Sequence, residues 1–241
     1  MSRIGSFWSG ALAAPLVVLS DFDYTISQVD VGDLIVETLC PPSQEVRERS
    51  QRGEFGSRTW WLDSMARADM AEALALASPV AIDPQFSAFA TWCQAEGIPL
   101  AVVSDGFGYY IERILNREGL GHLPVFCNEM PGPGHLEWPH GNPVCDRCGV
   151  CKAGVSRRLR EAGVKVVYIG DGTSDMYASA FADWVFAKDR LARHLSENGS
   201  PFFPFASFAD VAAVMKAELS RFRDGSAPGR ATLPASPHCR F

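Results

Sequence analysis

The sequence predicts an α/β protein: a doubly wound, Rossmann-like parallel sheet carrying an inserted helical cap. Three observations carry that expectation. Apolar runs of strand length recur, and each ends in an acid or a small polar residue: APLVVLSDFD at 14–23, GIPLAVVSDG at 97–106, GVKVVYIGDG at 163–172 and the shorter ADWVFAKD at 182–189. Helical patterns lie between the runs, each closed by a glycine: PQFSAFATWCQAEG, YYIERILNREG and KAGVSRRLREAG. A long helical stretch separates the first run from the second by far more than a connecting loop requires.

The first run is apolar without alternation, as expected for a strand buried on both faces of a parallel sheet. Its composition, with Arg3 upstream and an apolar stretch from Ala11 to Leu19, superficially resembles a secretory leader. It leads straight into Ser20-Asp21-Phe22-Asp23, so cleavage there would remove a core strand; a buried strand and a cytoplasmic protein are expected. Residues 26–78 follow, with VGDLIVETL, SQEVRERSQRG and RTWWLDSMARADMAEALALA all helical by pattern, and form the expected cap. The core is then expected over 1–25 and 79–222. Within it, 126–151 is rich in Pro, Gly, His and Cys and reads as a two-strand excursion plus a loop. From Arg223 to the end the chain is polar and rich in Pro and Gly, and is expected to be disordered.

Composition narrows the function. The formal net charge of −6 supplies no Lys/Arg field for nucleic acid or an anionic membrane surface. No apolar run approaches the ~20 residues that span a bilayer. Seven cysteines, at 40, 93, 127, 145, 148, 151 and 239, are more consistent with free or metal-bound thiols than with a disulfide framework.

The chemistry concentrates at the strand ends, where doubly wound sheets bind ligands. Asp21 and Asp23 end the first run; Asp171 and Asp175 follow the third in GDGTSD. Four acids at one edge of a sheet are costly without a cation. An all-oxygen ligand set favours Mg²⁺, which keeps waters and substrate phosphate oxygens in its shell.

DFDYTIS resembles the D-x-D-x-T signature of the haloacid dehalogenase superfamily of aspartyl-phosphate phosphatases. VVSDG, Lys152 at a helix start and GDGTSD are similar to its other three motifs, in the family's order, across about 14–190. The resemblance implies that Asp21 is the nucleophile and Asp23 the acid and then base. It implies that Ser104, with the amides near Asp105 and Gly106, holds phosphoryl oxygens; a plain helix N-cap is the structural alternative for Ser104. Lys152 would offset the charge shared by Asp21 and the phosphate, and Asp171, with Asp175 and the Asp23 carbonyl, would hold Mg²⁺ beside Asp21. A cap between the first and second motifs suits a small phosphorylated metabolite, which Asp30, Arg58, Trp60 and Trp61 are candidates to touch; core packing is the alternative for the tryptophans. Tyr24 stands where many relatives have Gly.

A narrower resemblance covers EWPHGNPVCDRCGVCK. It is similar to the subgroup that includes the 2-hydroxy-3-keto-5-methylthiopentenyl-1-phosphate phosphatases of methionine salvage, which implies that compound as substrate. A phosphoserine phosphatase-like activity and a non-catalytic metal- or redox-sensing relative are the alternatives. Cys145, Cys148 and Cys151 offer three thiolates where structural Zn²⁺ takes four ligands, with His140 or Cys127 as the fourth. A disulfide or redox pair and packed free thiols stand beside that reading, and an iron–sulfur cluster lacks a fourth cysteine close in sequence.

Overall fold

The computed structural model describes residues 2–236 and 239. Its centre is a sheet built from β1 (Leu16–Ser20), β2 (Leu100–Phe107), β3 (Val125–Gly132), β4 (His135–Glu137), β5 (Lys165–Gly170), β6 (Trp184–Ala187) and β7 (Phe203–Pro204), in the order β4-β3-β2-β1-β5-β6-β7. Every neighbouring pair is parallel except β3 with β4, a short antiparallel flap at one edge. The expected doubly wound sheet is therefore present, with β1 central between β2 and β5. All five residues of β1 are buried, as its unbroken apolar run requires.

Helices cover both faces. On one side α6 (Phe86–Ala95), α7 (Gly108–Arg117), α11 (Phe208–Ala217) and α12 (Leu219–Asp224) pack with Phe86, Phe89, Ile111 and Phe208 into the larger apolar core. On the other, α1 (Arg3–Ala11), α8 (Lys152–Glu161), α9 (Asp175–Ser179) and α10 (Asp189–Glu197) bury Phe7, Val155, Ala178 and Leu191. Between β1 and β2 stand α2 (Val31–Leu39), α3 (Gln44–Gln51), α4 (Ser57–Asp63) and α5 (Met70–Ala77), the helical insertion expected there.

Three parts of the chain differ from their sequence reading. Residues 3–11 form a helix capped by the Ser2 side chain, and only 16–20 are strand; Phe7 and Trp8 pack edge-on against Phe126, which places the helix over the sheet. The excursion at 126–151 opens with β3, a full sheet member buried over its first half, before it leaves as the β3–β4 flap. The segment expected to be disordered is tied down over much of its length. Trp184 Nε1 donates to Ala227 O at 3.2 Å, Ala231 N to Asp183 O at 2.8 Å and Thr232 N to Ser200 Oγ at 3.1 Å, while Arg230 pairs with Asp183. The physical reason is that β6 leaves Trp184 and Asp183 needing partners, and this segment supplies them.

Candidate active site

The carboxyl ends of β1, β2 and β5 open into one cavity of about 510 Å³, lined by Asp21, Asp23, Tyr24, Asp30, Asp33, Trp61, Lys152, Asp171 and Arg190 among others. Strand geometry explains how the two β1 acids share it. Asp21 N donates to Ile169 O and extends the β1–β5 ladder by one residue. Immediately after, Thr25, Ile26 and Ser27 amides all return to Phe22 O, so the chain turns sharply and brings Asp23 back to the edge. Tyr24 completes that turn with φ 53°, the left-handed region that favours glycine.

The nucleophile candidate is held firmly. Lys152 Nζ, buried at the start of α8, donates to Asp21 Oδ1 at 2.6 Å and to Asp175 Oδ1 at 2.8 Å. Asp175 is fully engaged: Tyr168 OH donates to the same Oδ1 at 2.6 Å, and the amides of Asp171 and Gly172 donate to Oδ2 at 3.0 and 2.8 Å. Asp171 accepts from Thr25 Oγ1 at 2.9 Å. Oxygens of Asp21, Asp171 and Asp175 lie within 4.8 Å of one another, the one such group of metal-binding side chains among the described residues. The Asp23 carboxylate lies apart from it, accepting from Val31 N at 2.9 Å and from Ser104 Oγ at 3.3 Å.

Ser104 belongs to the irregular end of β2, where the register with β3 shifts between Val103 and Phe107. Its hydroxyl also accepts from Gly106 N at 3.0 Å. Gly106 must be glycine: a Cβ there would sit 2.2 Å from Tyr110 Oη and 3.0 Å from Asp23. Asp105 turns towards the cysteine loop and accepts from Val150 N at 2.9 Å.

The electrostatics follow from crowding acids out of water. Burial first, then Asp175, holds Asp21 well above the usual carboxylate range. Burial lifts Asp23 to about 6, and burial with Asp175 lifts Asp171 to about 7. Burial opposes the charge on Lys152, but Asp175 and Asp21 outweigh it and keep the ammonium charged. One lysine among four acids leaves a negative excess, and these oxygen donors fit a hard divalent cation such as Mg²⁺.

Of the cap residues, Asp30 and Trp61 line the cavity; Asp30 also caps α2 through Asp33 N at 2.7 Å, and Trp61 meets Phe107 edge-on. Trp60 borders a neighbouring hollow instead. Arg58 is occupied elsewhere, donating to Cys148 O at 2.7 Å and lying over Trp138. Sequence reasoning missed Asp33, Tyr168 and Arg190. The signal for Arg190 was its place just beyond the fourth strand end; Asp33 follows Asp30 by one helical turn. His140 packs its ring on Phe126, centroids 5.0 Å apart, and is absent from the hollow that Cys145, Cys148 and Cys151 share. Cys127 is buried beside Glu129, also away from that hollow.

Comparison with known proteins matches residues 18–180 to the haloacid dehalogenase-like hydrolase family. A 2-hydroxy-3-keto-5-methylthiopentenyl-1-phosphate phosphatase of Brevibacillus brevis is 30% identical over 220 residues, covering 85% of this chain and 97% of that protein. One from Geobacillus kaustophilus is 32% identical, covering 81% and 93%. Among solved structures, a phospho-aspartyl intermediate analogue of phosphoserine phosphatase superposes with a TM-score of 0.60 at 15% identity, covering 83% of this chain and 98% of that one. A probable phosphoserine phosphatase from Vibrio cholerae gives 0.60 at 19% identity, covering 90% and 68%. At that identity the likeness speaks for the fold. The chain belongs to the haloacid dehalogenase-like hydrolase family and, within it, is a phosphatase.

Proposed function

We propose that this protein is a Mg²⁺-dependent phosphomonoesterase of small phosphorylated metabolites, acting through an aspartyl-phosphate on Asp21, with 2-hydroxy-3-keto-5-methylthiopentenyl-1-phosphate as substrate. The observation that carries the chemistry is the pairing of Asp21 with Lys152 at 2.6 Å beside an independently held Asp23. The observation that favours the substrate is the near full-length match to relatives bearing that activity in their names.

The residues divide the work. Lys152 fixes Asp21 Oδ1, which leaves Oδ2 to attack phosphorus while the P–O bond to the leaving group breaks. Asp23, lifted to about 6, carries the proton that the departing oxygen takes. The resulting carboxylate then accepts a proton from the water that attacks phosphorus and frees Asp21. Ser104 and the amides at Asp105 and Gly106 would hold the transferred oxygens, substrate taking over the bonds that Ser104 Oγ now makes to Asp23 and Gly106 N. Asp21, Asp171 and the Asp23 carbonyl would hold Mg²⁺, which supplies positive charge to the phosphoryl group. Asp175, saturated by Lys152, Tyr168 and two amides, positions both Lys152 and the loop that carries Asp171.

The test is phosphate release from a panel holding the enol phosphate, phosphoserine and an aryl phosphate, with Mg²⁺ and with chelator. The enol phosphate is expected to give the highest kcat/KM, and Asp21→Asn to remove at least ~10³-fold of it. Preference for phosphoserine would move the substrate assignment to the amino acid, with Arg190 and the Asp30/Asp33 pair as the groups facing its carboxylate and ammonium. Activity surviving in Asp21→Asn would sink the covalent mechanism.

A further inference from the structure

The cysteine loop adjoins the catalytic centre, yet phosphate chemistry uses none of its thiols. Cys145, Cys148 and Cys151 line a small hollow of about 20 Å³ between the loop and α9, and a fourth cysteine, Cys239, lines it too. All four are free thiols. We propose that these four cysteines form a structural zinc site, in which Cys239 delivers the fourth ligand and fastens the C-terminal segment to the loop that presents Lys152.

The donor set argues for the ion. Zn²⁺ takes four thiolates tetrahedrally at ~2.3 Å, and the two-residue spacings within 145–151 let neighbouring sulfurs face one centre. Among the described residues no carboxylate lines the hollow, which selects a thiophilic metal over the Mg²⁺ suited to the aspartates. The volume is that of a single small guest. Donors to sulfur are already present: Gly154 N donates to Cys151 Sγ at 3.3 Å, the outer-shell bond that a metal-bound thiolate needs. Among the described residues only the aspartate group has its ligand atoms within 4.8 Å of one another, so zinc must draw the sulfurs inward. No residue from 141 to 148 is buried, so no side chain packed in the core holds Cys145 and Cys148 apart.

The position explains why a clip is useful here. Cys151 caps α8, whose first residue is Lys152. The same loop holds the cap: Arg58 N donates to Arg147 O at 3.1 Å, Arg58 Nε to Cys148 O at 2.7 Å, and Arg147 donates to Gly53 O at 3.0 Å. An ion among the four sulfurs therefore ties together the end of the chain, the lysine helix and the base of the cap, in a segment too poor in apolar residues to hold itself.

The test uses the full-length protein, reduced and loaded with Co²⁺ as a spectroscopic probe, then titrated with Zn²⁺. One Co²⁺ per chain with sulfur-to-cobalt charge transfer, displaced by one Zn²⁺, is expected. Cys239→Ser should lose about a quarter of the charge-transfer intensity and weaken Zn²⁺ binding by at least ~10-fold. Its circular dichroism should stay that of the parent, and His140→Ala should leave spectrum and affinity unaltered. Absence of charge transfer in the parent protein overturns the site. Equal Zn²⁺ affinity in the Cys239→Ser variant and the parent overturns the role of the C-terminal segment, as does a disulfide involving Cys239 in protein purified under reducing conditions.

Discussion

Two regions meet at the first turn of α8, and they are built on different principles. The crevice takes Asp21, Asp23, Ser104 and Asp171 from the ends of three neighbouring parallel strands, whose register fixes their mutual positions, and Asp175 from the start of α9, bonded back to the amides just past β5. The cysteine loop has no such frame and is held by hydrogen bonds, to Arg58 and the Phe55 carbonyl of the cap and to Asp105. Lys152 belongs to both, since its ammonium lies among the acids while its backbone begins at the loop. A sheet can place charges that repel one another because the ladder, and not the charges, holds the geometry. A loop must be held by the chemistry of its own side chains.

Lys152→Met separates the two supports most sharply. The change leaves Asp21 and Asp175 buried without their cation, a loss of about 3–5 kcal/mol in systems where one partner of a buried pair is removed. The fold is expected to persist, with lower stability in urea unfolding, and activity to fall by at least ~10³-fold. Mg²⁺ should restore part of the stability and none of the activity, because the cation offsets charge without holding Asp21 Oδ1. Full recovery of turnover at high Mg²⁺ would show the lysine to be only a counter-charge.

The acids predict a second effect, smaller and reversible. Asp171 is lifted from 3.8 to about 7 and Asp23 to about 6, both chiefly by burial. The folded state without metal therefore binds more protons than the unfolded chain between about pH 4 and 7. That contribution to stability is fully present below pH 4 and is lost as pH rises through 6 to 7. Mg²⁺ at the Asp171 oxygens replaces the proton held there, whereas the Asp23 carboxylate, which lies apart, keeps its own. The rise in Tm on adding Mg²⁺ should be small at pH 5 and grow to pH 8, measured by differential scanning calorimetry. A Mg²⁺ effect that is flat across that range would place the cation away from these carboxylates.

The same contrast decides what could be read from the sequence. Strand ends were legible because an apolar run closing in an acid announces both the element and the direction its last residues face. Hence Asp21, Asp23 and Asp171 line one cavity, while Ser104 is buried behind its wall and reaches the site only through its bond to Asp23. The N-terminal helix was hidden because the apolar stretch over 11–19 blends its end into β1. In the cap, Trp60 and Trp61 are adjacent on α4 but face different hollows, a distinction set by how the helix packs and absent from its spacing. Cys239 was illegible as a neighbour of Cys151 because closure of the chain's end onto the loop is a tertiary event. The short-range candidate, His140, instead found an aromatic partner in Phe126.

Tyr24 gives the smallest expected effect and the finest cut between frame and filling. Its φ of 53° follows from the tight turn after β1 that brings Asp23 back to the edge, and glycine adopts that region without a Cβ penalty. The residue is 51% exposed and lines the cavity, so little packing is lost on removing its side chain. Tyr24→Gly should relieve the backbone and raise stability by about 0.5–1 kcal/mol, part of the relief being offset by the greater freedom of glycine in the unfolded chain. The mouth would widen. If the ring closes over a small substrate, KM should rise several-fold while kcat holds, since Asp21, Asp23 and Lys152 keep their own anchors. A drop in kcat with KM unchanged would mean that the side chain steadies the turn presenting Asp23, and the division between a rigid strand-end frame and replaceable lining would have to be redrawn through Tyr24 itself.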